Sequence, residues 1–144
     1  MTTPQTLDLA AIKGRQQKAW SSGDYGRVGV TLLVMAELLA EAADLKPGQS
    51  VLDVASGNGN ASLAAARRFC DVTAVDYVPM LLEEARNRAE AEGLPVDFVE
   101  GDAENLPFEG EGVVGLETHR ICGTILHEGA SFCRGRVFEQ PDHS

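Results

Sequence analysis

A short apolar run that opens into a glycine-rich turn constrains the fold of this chain more than any other feature. The run Val51–Val54 carries one acid, Asp53, and the turn that follows contains Gly57 and Gly59. A run of branched apolar residues bounded by glycines is typical of a buried parallel strand. Glycine lets a ligand approach the backbone, and ligands of parallel sheets bind at the carboxyl ends of strands. The run therefore predicts a ligand cleft at this turn.

Apolar periodicity on both sides of this run predicts alternating helices and strands. Upstream it predicts two helices, Leu7–Trp20 and a second that contains Val28–Leu39 and ends at Lys46. Downstream it predicts a helix at Ala61–Phe69, a strand at Val72–Val75, a helix at Pro79–Glu92 and a strand at Val96–Val99. Asn60 is expected to cap the first of these helices and Gly93 to end the second. The second helix is also expected to carry an exposed Glu84–Arg88 pair. This order implies right-handed crossovers and an α/β fold, a Rossmann-like, doubly wound and mainly parallel sheet with N-terminal helices.

Composition favours one cytoplasmic domain that does not bind nucleic acid. The 144 residues can bury one core, and 12 lysines and arginines against 22 aspartates and glutamates give a net charge of −10, which repels a phosphate backbone. The N-terminus has no cationic and apolar leader, and three widely spaced cysteines fit reduced thiols better than disulfides. We therefore expect a cytoplasmic protein with a small-molecule partner, and neither a nucleic acid nor a membrane as partner.

The residue that closes the second predicted strand indicates a nucleoside ligand. Asp76 stands 19 residues after Gly57, where an acid accepts hydrogen bonds from ribose hydroxyls. The segment Gly57–Ser62 also resembles a dinucleotide-binding turn, with Ser62 in place of the third glycine. A nicotinamide-dependent oxidoreductase is therefore an alternative. Asp53 would repel a pyrophosphate and attract a cationic amino-acid group, so we expect a cofactor without phosphate.

The turn resembles the first motif of the class I S-adenosylmethionine-dependent methyltransferases, in which an acid is followed by three alternate glycines. The segment from Asp53 to Gly59 matches that pattern, with Ala55 in place of the first glycine. The resemblance implies that Ala55 narrows the space beside the methionine moiety. It implies S-adenosylmethionine as the cofactor, bound in this turn by four residues, which are Asp53, Ala55, Gly57 and Gly59.

Two later segments resemble the same family. Asp76 matches its ribose-binding acid, and Gly101–Phe108 is similar to its adenine-side motif. The resemblance implies adenine contacts from four residues: the Asp102 carboxylate to the exocyclic amine, the Ala103 amide to a ring nitrogen, and Tyr77 and Met80 on either side of the ring.

An upstream segment, Trp20–Tyr25, is similar to the substrate-side entry of ubiquinone/menaquinone-type small-molecule methyltransferases, which extends the resemblance over residues 15–108. It implies that Trp20 or Tyr25 covers the cofactor and that the chain transfers a methyl group to a small-molecule acceptor. No catalytic residue is assigned, because substrate-side residues of the family commonly follow the fourth strand. The predicted division is an N-terminal helical segment at 1–46, a cofactor-binding core at 47–108 and an atypical tail at 109–144.

The resemblance ends at Phe108, and the tail contains no convincing fourth strand. The first strand would then be an unpaired edge, which a second subunit or a tail hairpin of Arg120–Leu126 and Ala130–Phe138 would have to cover. We interpret the tail as the product of truncation or of a shifted reading frame. A non-catalytic domain with weak or no cofactor binding is therefore a further alternative.

The tail also contains four residues of the type that binds zinc: His119, Cys122, His127 and Cys133. Their spacing is not that of a standard zinc site, and scattered histidines and cysteines arise easily by chance. We therefore expect no metal.

Overall fold

A computed structural model describes residues 8–23, 32–103, 106 and 113–116 of the chain. Within these ranges the chain alternates helices and strands. They are α1 (Leu9–Ser21), α2 (Leu33–Ala42), β1 (Ser50–Val54), α3 (Asn60–Ala66), β2 (Asp71–Asp76), α4 (Pro79–Glu92), β3 (Val96–Glu100) and β4 (Val113–Leu116). None of the described helices combines the length and the apolarity that a membrane crossing needs.

The four strands form one parallel sheet in the order β3-β2-β1-β4. The carboxyl ends lie at one edge, because Val54 of β1 pairs with Val75 and Asp76 of β2 pairs with Glu100. Strands β1, β2 and β3 are neighbours in chain order, and β4 lies on the other side of β1. The predicted Rossmann-like sheet with N-terminal helices is confirmed, and its strand order reverses beside β1, where such sheets bind ligands.

The expectation that the first strand would be an unpaired edge is wrong. Strand β4 lies inside the predicted tail, and it pairs in parallel with β1 from Ser50 to Asp53. Four residues, one of them Gly115, give too little periodicity to indicate a strand from the sequence. The sheet therefore continues beyond residue 108.

Two other interpretations of the tail, the hairpin at Arg120–Leu126 and Ala130–Phe138 and the four zinc-type residues, lie outside the described residues. The division of the chain at residues 46 and 108 stays a prediction.

The described helices that cover the sheet lie on one face of it. Buried residues of α2 and α3, such as Leu39 and Ala64, form one cluster with Val51 and Val72 of the strands. Helix α3 is buried along its whole length, because its alanines allow close approach to the sheet. On α4, the Arg86 guanidinium lies 5.8 Å from the centre of the Phe98 ring of β3.

Helix ends follow their local signals at α4, and both predicted ends of α3 need correction. Helix α4 begins at Pro79 and is closed by Gly93 at a φ of +67°, as predicted. Helix α3 begins at Asn60, so Asn60 is its first residue rather than its cap, and Gly59 takes the cap position with a φ of +86°. The helix ends at Ala66, and a turn replaces its predicted last three residues.

Candidate cofactor site

The turn after β1 has a backbone shape that two glycines make possible. Gly57 and Gly59 have φ values of +56° and +86°, in the left-handed region that side chains disfavour. A Cβ on Gly59 would lie 3.0 Å from the Cβ of Ala85, so glycine lets the turn pack against α4. A Cβ on Gly57 would have no heavy atom within 4 Å, so there is open space beside the turn at this residue.

Ala55 occupies the position where the resemblance expects the first glycine. Its φ is +56°, so the position does require the left-handed conformation. A residue with a Cβ adopts this conformation at a cost of about 1–2 kcal/mol. Alanine in place of glycine therefore strains the backbone at residue 55, but the turn keeps its shape.

The Asp76 carboxylate joins the loops that follow β1 and β2. It is almost completely buried, and its two oxygens accept hydrogen bonds of 2.8 Å from the backbone amides of Gly57 and Val78. The Gly101 amide, after β3, donates to the Asp76 carbonyl at 3.0 Å. The ends of three strands are therefore tied together at one residue. An ionised carboxylate offers roughly four acceptor positions, so Asp76 keeps capacity for ribose hydroxyls.

The Asp53 carboxylate is fully buried beneath α3. It accepts a 2.6 Å hydrogen bond from the Ser62 hydroxyl, and that hydroxyl is itself buried. In the sequence, Ser62 stands out only as the substitute for a third glycine, whereas in the structure its hydroxyl donates to a carboxylate of β1. The carboxylate thus contacts the helix rather than solvent, and a direct contact between Asp53 and a ligand stays a prediction.

The four predicted adenine-side residues lie along the ends of β2 and β3. Met80, in the first turn of α4, and the side chain of Asp102 are each exposed by roughly two fifths, and Ala103 is exposed. Tyr77 is half-buried; burial raises the pKa of its hydroxyl, and the charges of Asp76 and Asp102 raise it further. Tyr77 therefore lies within electrostatic reach of both acids.

Helix α1 crosses these same loops. Lys13 makes an ion pair with Asp102, with 2.5 Å between Nζ and Oδ2, and the Gln17 side-chain amide donates to the Tyr77 carbonyl at 2.6 Å. Sequence reasoning missed both residues, although their four-residue spacing places them on one helix face. Trp20, one turn further, is half-exposed, and Tyr25 lies outside the described residues.

A contact from α4 to the glycine turn was also missed. Arg88 donates to the Asn58 carbonyl at 2.7 Å and to the Asn60 side-chain oxygen at 2.8 Å. Burial lowers the pKa of its guanidinium. The predicted exposed pair of Glu84 and Arg88 is wrong, because Arg88 turns toward the glycine turn.

In the part of the chain that the structure describes, no three side chains of histidine, cysteine, aspartate or glutamate converge in a way that would hold a metal ion.

Comparisons with known proteins agree with this geometry. A family model described as "Methyltransferase domain" matches residues 51–117. An uncharacterized protein of Mycobacterium tuberculosis is 41% identical over 104 residues, which are 72% of this chain and 38% of that protein. A demethylmenaquinone methyltransferase of Paenarthrobacter aurescens is 39% identical over 71 residues, 49% of this chain and 26% of that enzyme. The chain thus spans less than two fifths of the length of either relative.

Two solved structures share the fold. A SAM-dependent methyltransferase from Thiobacillus denitrificans in complex with S-adenosyl-L-homocysteine is 30% identical, with a TM-score of 0.51 over 57% of this chain and 34% of that chain. TrmN from Thermus thermophilus is 33% identical, with a TM-score of 0.54 over 66% of this chain and 31% of that chain.

Proposed function

Because the chain belongs to the class I, S-adenosylmethionine-dependent methyltransferases, we propose that it binds S-adenosylmethionine where β1, β2 and β3 end. The observation that carries the proposal is the position of Asp76. Its buried carboxylate is linked by hydrogen bonds to the glycine turn, and its remaining acceptor positions suit a ribose. Open space beside Gly57 leaves room for the rest of the ligand.

The proposed contacts follow the resemblance from one end of the cofactor to the other. Asp76 accepts from the ribose hydroxyls, and the Asp102 carboxylate accepts from the adenine amine. The other proposed contacts are the Ala103 amide with an adenine nitrogen, Tyr77 and Met80 with the ring faces, and the turn of Asp53, Ala55, Gly57 and Gly59 with the methionine end.

The proposed reaction is methyl transfer to a small-molecule acceptor. When bound, S-adenosylmethionine supplies an electrophilic methyl group, so the residues of this chain have to bind, orient and exclude water rather than activate the donor. The net charge of −10 favours a small molecule over a nucleic acid as the acceptor. We assign no catalytic residue.

A cofactor-binding domain without turnover is the second candidate. The chain covers 38% of the Mycobacterium tuberculosis relative, and we assign a cofactor site but no catalytic residue within it. The two candidates share the cofactor site and differ in methyl transfer, which is measured as release of S-adenosylhomocysteine beside a relative of full length. The same rate per molecule in both proteins would rule out the second candidate.

Calorimetric titration tests the shared site. We expect the chain to bind S-adenosylmethionine and S-adenosylhomocysteine and not to bind NAD, because Ser62 stands where a dinucleotide-binding turn has its third glycine. Binding of NAD in place of the two sulfur nucleosides would establish the oxidoreductase alternative.

Asp76→Asn is the matching variant. The sequence alone suggests that Asp76→Ala abolishes binding without unfolding, but the two buried hydrogen bonds to Gly57 and Val78 mean that alanine also weakens the loops. Asparagine keeps the volume and one acceptor oxygen. We expect affinity for S-adenosylhomocysteine to fall at least about tenfold, which corresponds to roughly 1.4 kcal/mol. Asp97→Asn, an exposed acid on β3, is the control and should bind as the unmodified chain does. Equal affinity in Asp76→Asn would contradict the assignment.

A further inference from the structure

We propose that Arg88 is a positioning residue of the cofactor site, whose guanidinium holds the peptide between Asn58 and Gly59 in the shape that admits an adenosyl ligand. The inference rests on the proposed function, since it concerns the same turn. Nothing in the methyltransferase motifs indicated Arg88, which lies on α4 and outside all of them.

The contact is directed at the middle of the turn. The guanidinium bonds the carbonyl of Asn58, the residue between the two left-handed glycines, and the side-chain oxygen of Asn60, the first residue of α3. Both acceptors belong to buried residues. One planar group therefore fixes the exit of the turn and the start of the helix that follows it.

Further backbone hydrogen bonds hold the turn from other directions. The Ser56 amide donates to Val75 of β2, the Gly57 amide donates to Asp76, and the Gly59 amide donates back to Ser56. These bonds fix the turn from the side of β2 and from within. Arg88 adds hydrogen bonds that reach the turn from α4.

Arg88 lies on the part of α4 that packs against the turn. Ala85, three residues earlier on the helix, lies where its Cβ would be 3.0 Å from a Cβ on Gly59. Helix α4 thus meets the turn through a small side chain that sets the distance and a guanidinium that sets the orientation of the peptide. A rotation of this peptide would redirect the Asn58 carbonyl and the Gly59 amide, which follow directly after the open space beside Gly57.

Partial burial of the charge supports a positioning role over simple packing. Burial opposes the charged form of Arg88 and lowers the pKa of its guanidinium, so the charge is held there at some cost. An apolar side chain of similar length would fill the same space without that cost. The charged group is the one that can hold a backbone carbonyl in a fixed direction.

The test compares Arg88→Met, which keeps the alkyl length and removes the donors, with Arg88→Lys, which keeps the charge and part of the hydrogen bonding. Arg86→Met is the matched control, because Arg86 lies on the same helix and contacts Phe98 rather than the turn. Each protein is titrated with S-adenosylhomocysteine at a temperature where circular dichroism shows it to be folded. Hydrogen exchange of the amides of residues 57–60 is measured without ligand.

We expect Arg88→Met to bind at least tenfold more weakly, Arg88→Lys to fall between it and the unmodified chain, and Arg86→Met to bind normally. Amides of the turn should exchange fastest in Arg88→Met, at an intermediate rate in Arg88→Lys and at the unmodified rate in Arg86→Met. Folded Arg88→Met with unchanged affinity and unchanged exchange would overturn the proposal, since a purely structural role lowers stability without altering the affinity of folded molecules.

If Arg88→Met does not fold, Arg88→Lys decides: unchanged affinity overturns the proposal, and weaker binding with faster exchange supports it. Absence of binding by the unmodified chain would instead refute the proposed function, and the exchange data would still report whether Arg88 orders the turn.

Discussion

Phe69, just after α3, combines an unfavourable backbone with little packing. Its φ is +61°, and 78% of the residue is exposed. A residue with a Cβ in this conformation costs about 1–2 kcal/mol, and helices commonly end with glycine there. The exposed ring recovers little of that cost by burial, so this position is a removable source of strain.

Replacement of Phe69 by glycine should therefore stabilise the protein. We expect Phe69→Gly to raise the free energy of unfolding by about 0.5–1 kcal/mol, measured by urea denaturation, with an unchanged slope. Ala91→Gly, at an exposed position inside α4, should instead lower it by about 1 kcal/mol. Loss of stability in both variants would show that the Phe69 ring contributes more than its exposure indicates.

Single residues differ in how far the sequence reveals them. Asp76 and the two glycines of the turn were identified because their type and their place at strand ends carry the signal. Lys13, Gln17 and Arg88 were missed, because their partners lie 89, 60 and 30 residues away and only the folded sheet brings them together.

Three helices are joined by one group of charges. Arg67, after α3, bonds Glu37 of α2 and Glu92 of α4, and Arg68 bonds Glu37 as well. Burial raises the pKa of Glu37, but hydrogen bonds and charges from Arg68 and Arg67 outweigh it and hold that pKa below its ordinary value. The hydrogen bond from Arg67 likewise lowers the pKa of Glu92, against the opposing effect of burial.

This group predicts a loss of stability in acid. A carboxylate whose pKa is lowered by folding stabilises the protein above its unfolded pKa, and this contribution disappears as pH falls through the folded value. For Glu37 and Glu92 the loss should occur below about pH 4.5, the ordinary value. Because both side chains are more than one third exposed, each pair should contribute at most about 1 kcal/mol.

Arg67→Met tests the prediction. Urea denaturation between pH 6 and pH 3.5 should show a lower stability at pH 6 and a shallower decline toward pH 3.5 than in the unmodified chain. Arg86→Met, which leaves Glu37 and Glu92 paired, should keep the original slope. If the stability of Arg67→Met and that of the unmodified chain decline equally from pH 6 to pH 3.5, this group of charges does not cause the loss of stability in acid.

Elements were predictable where local chemistry marks both ends. Pro79 and Gly93 bound α4, and its predicted range matches the structure. Helix α2 begins at Leu33, whereas periodicity indicated apolar helix from Val28, which lies outside the described residues. Strand β4 was missed because a short strand takes its stability from pairing with β1, and a pairing over some 60 residues leaves no local pattern.

At the scale of the whole molecule, β4 covers the edge of β1, the strand that leads to the glycine turn. A chain that ends at Gly112 would leave β1 at the edge of the sheet, open to pairing with other chains. We expect it to self-associate in sedimentation and to bind S-adenosylhomocysteine at least tenfold more weakly. A chain that ends at Glu117 retains β4 and should bind as the unmodified chain does. Equal behaviour of the two shortened chains would show that the pairing of β4 is dispensable.

Asp76 links the ends of three strands. The melting temperature of the protein should therefore report whether a ligand is bound at Asp76. A compound that engages this carboxylate adds to contacts on which the folded state already depends, so it should raise the melting temperature. At a concentration one hundred times its dissociation constant, a ligand adds about 2.7 kcal/mol to the free energy of unfolding. Screening small molecules for a further rise, with the adenosyl nucleoside already saturating, is thus a direct test for the proposed methyl acceptor.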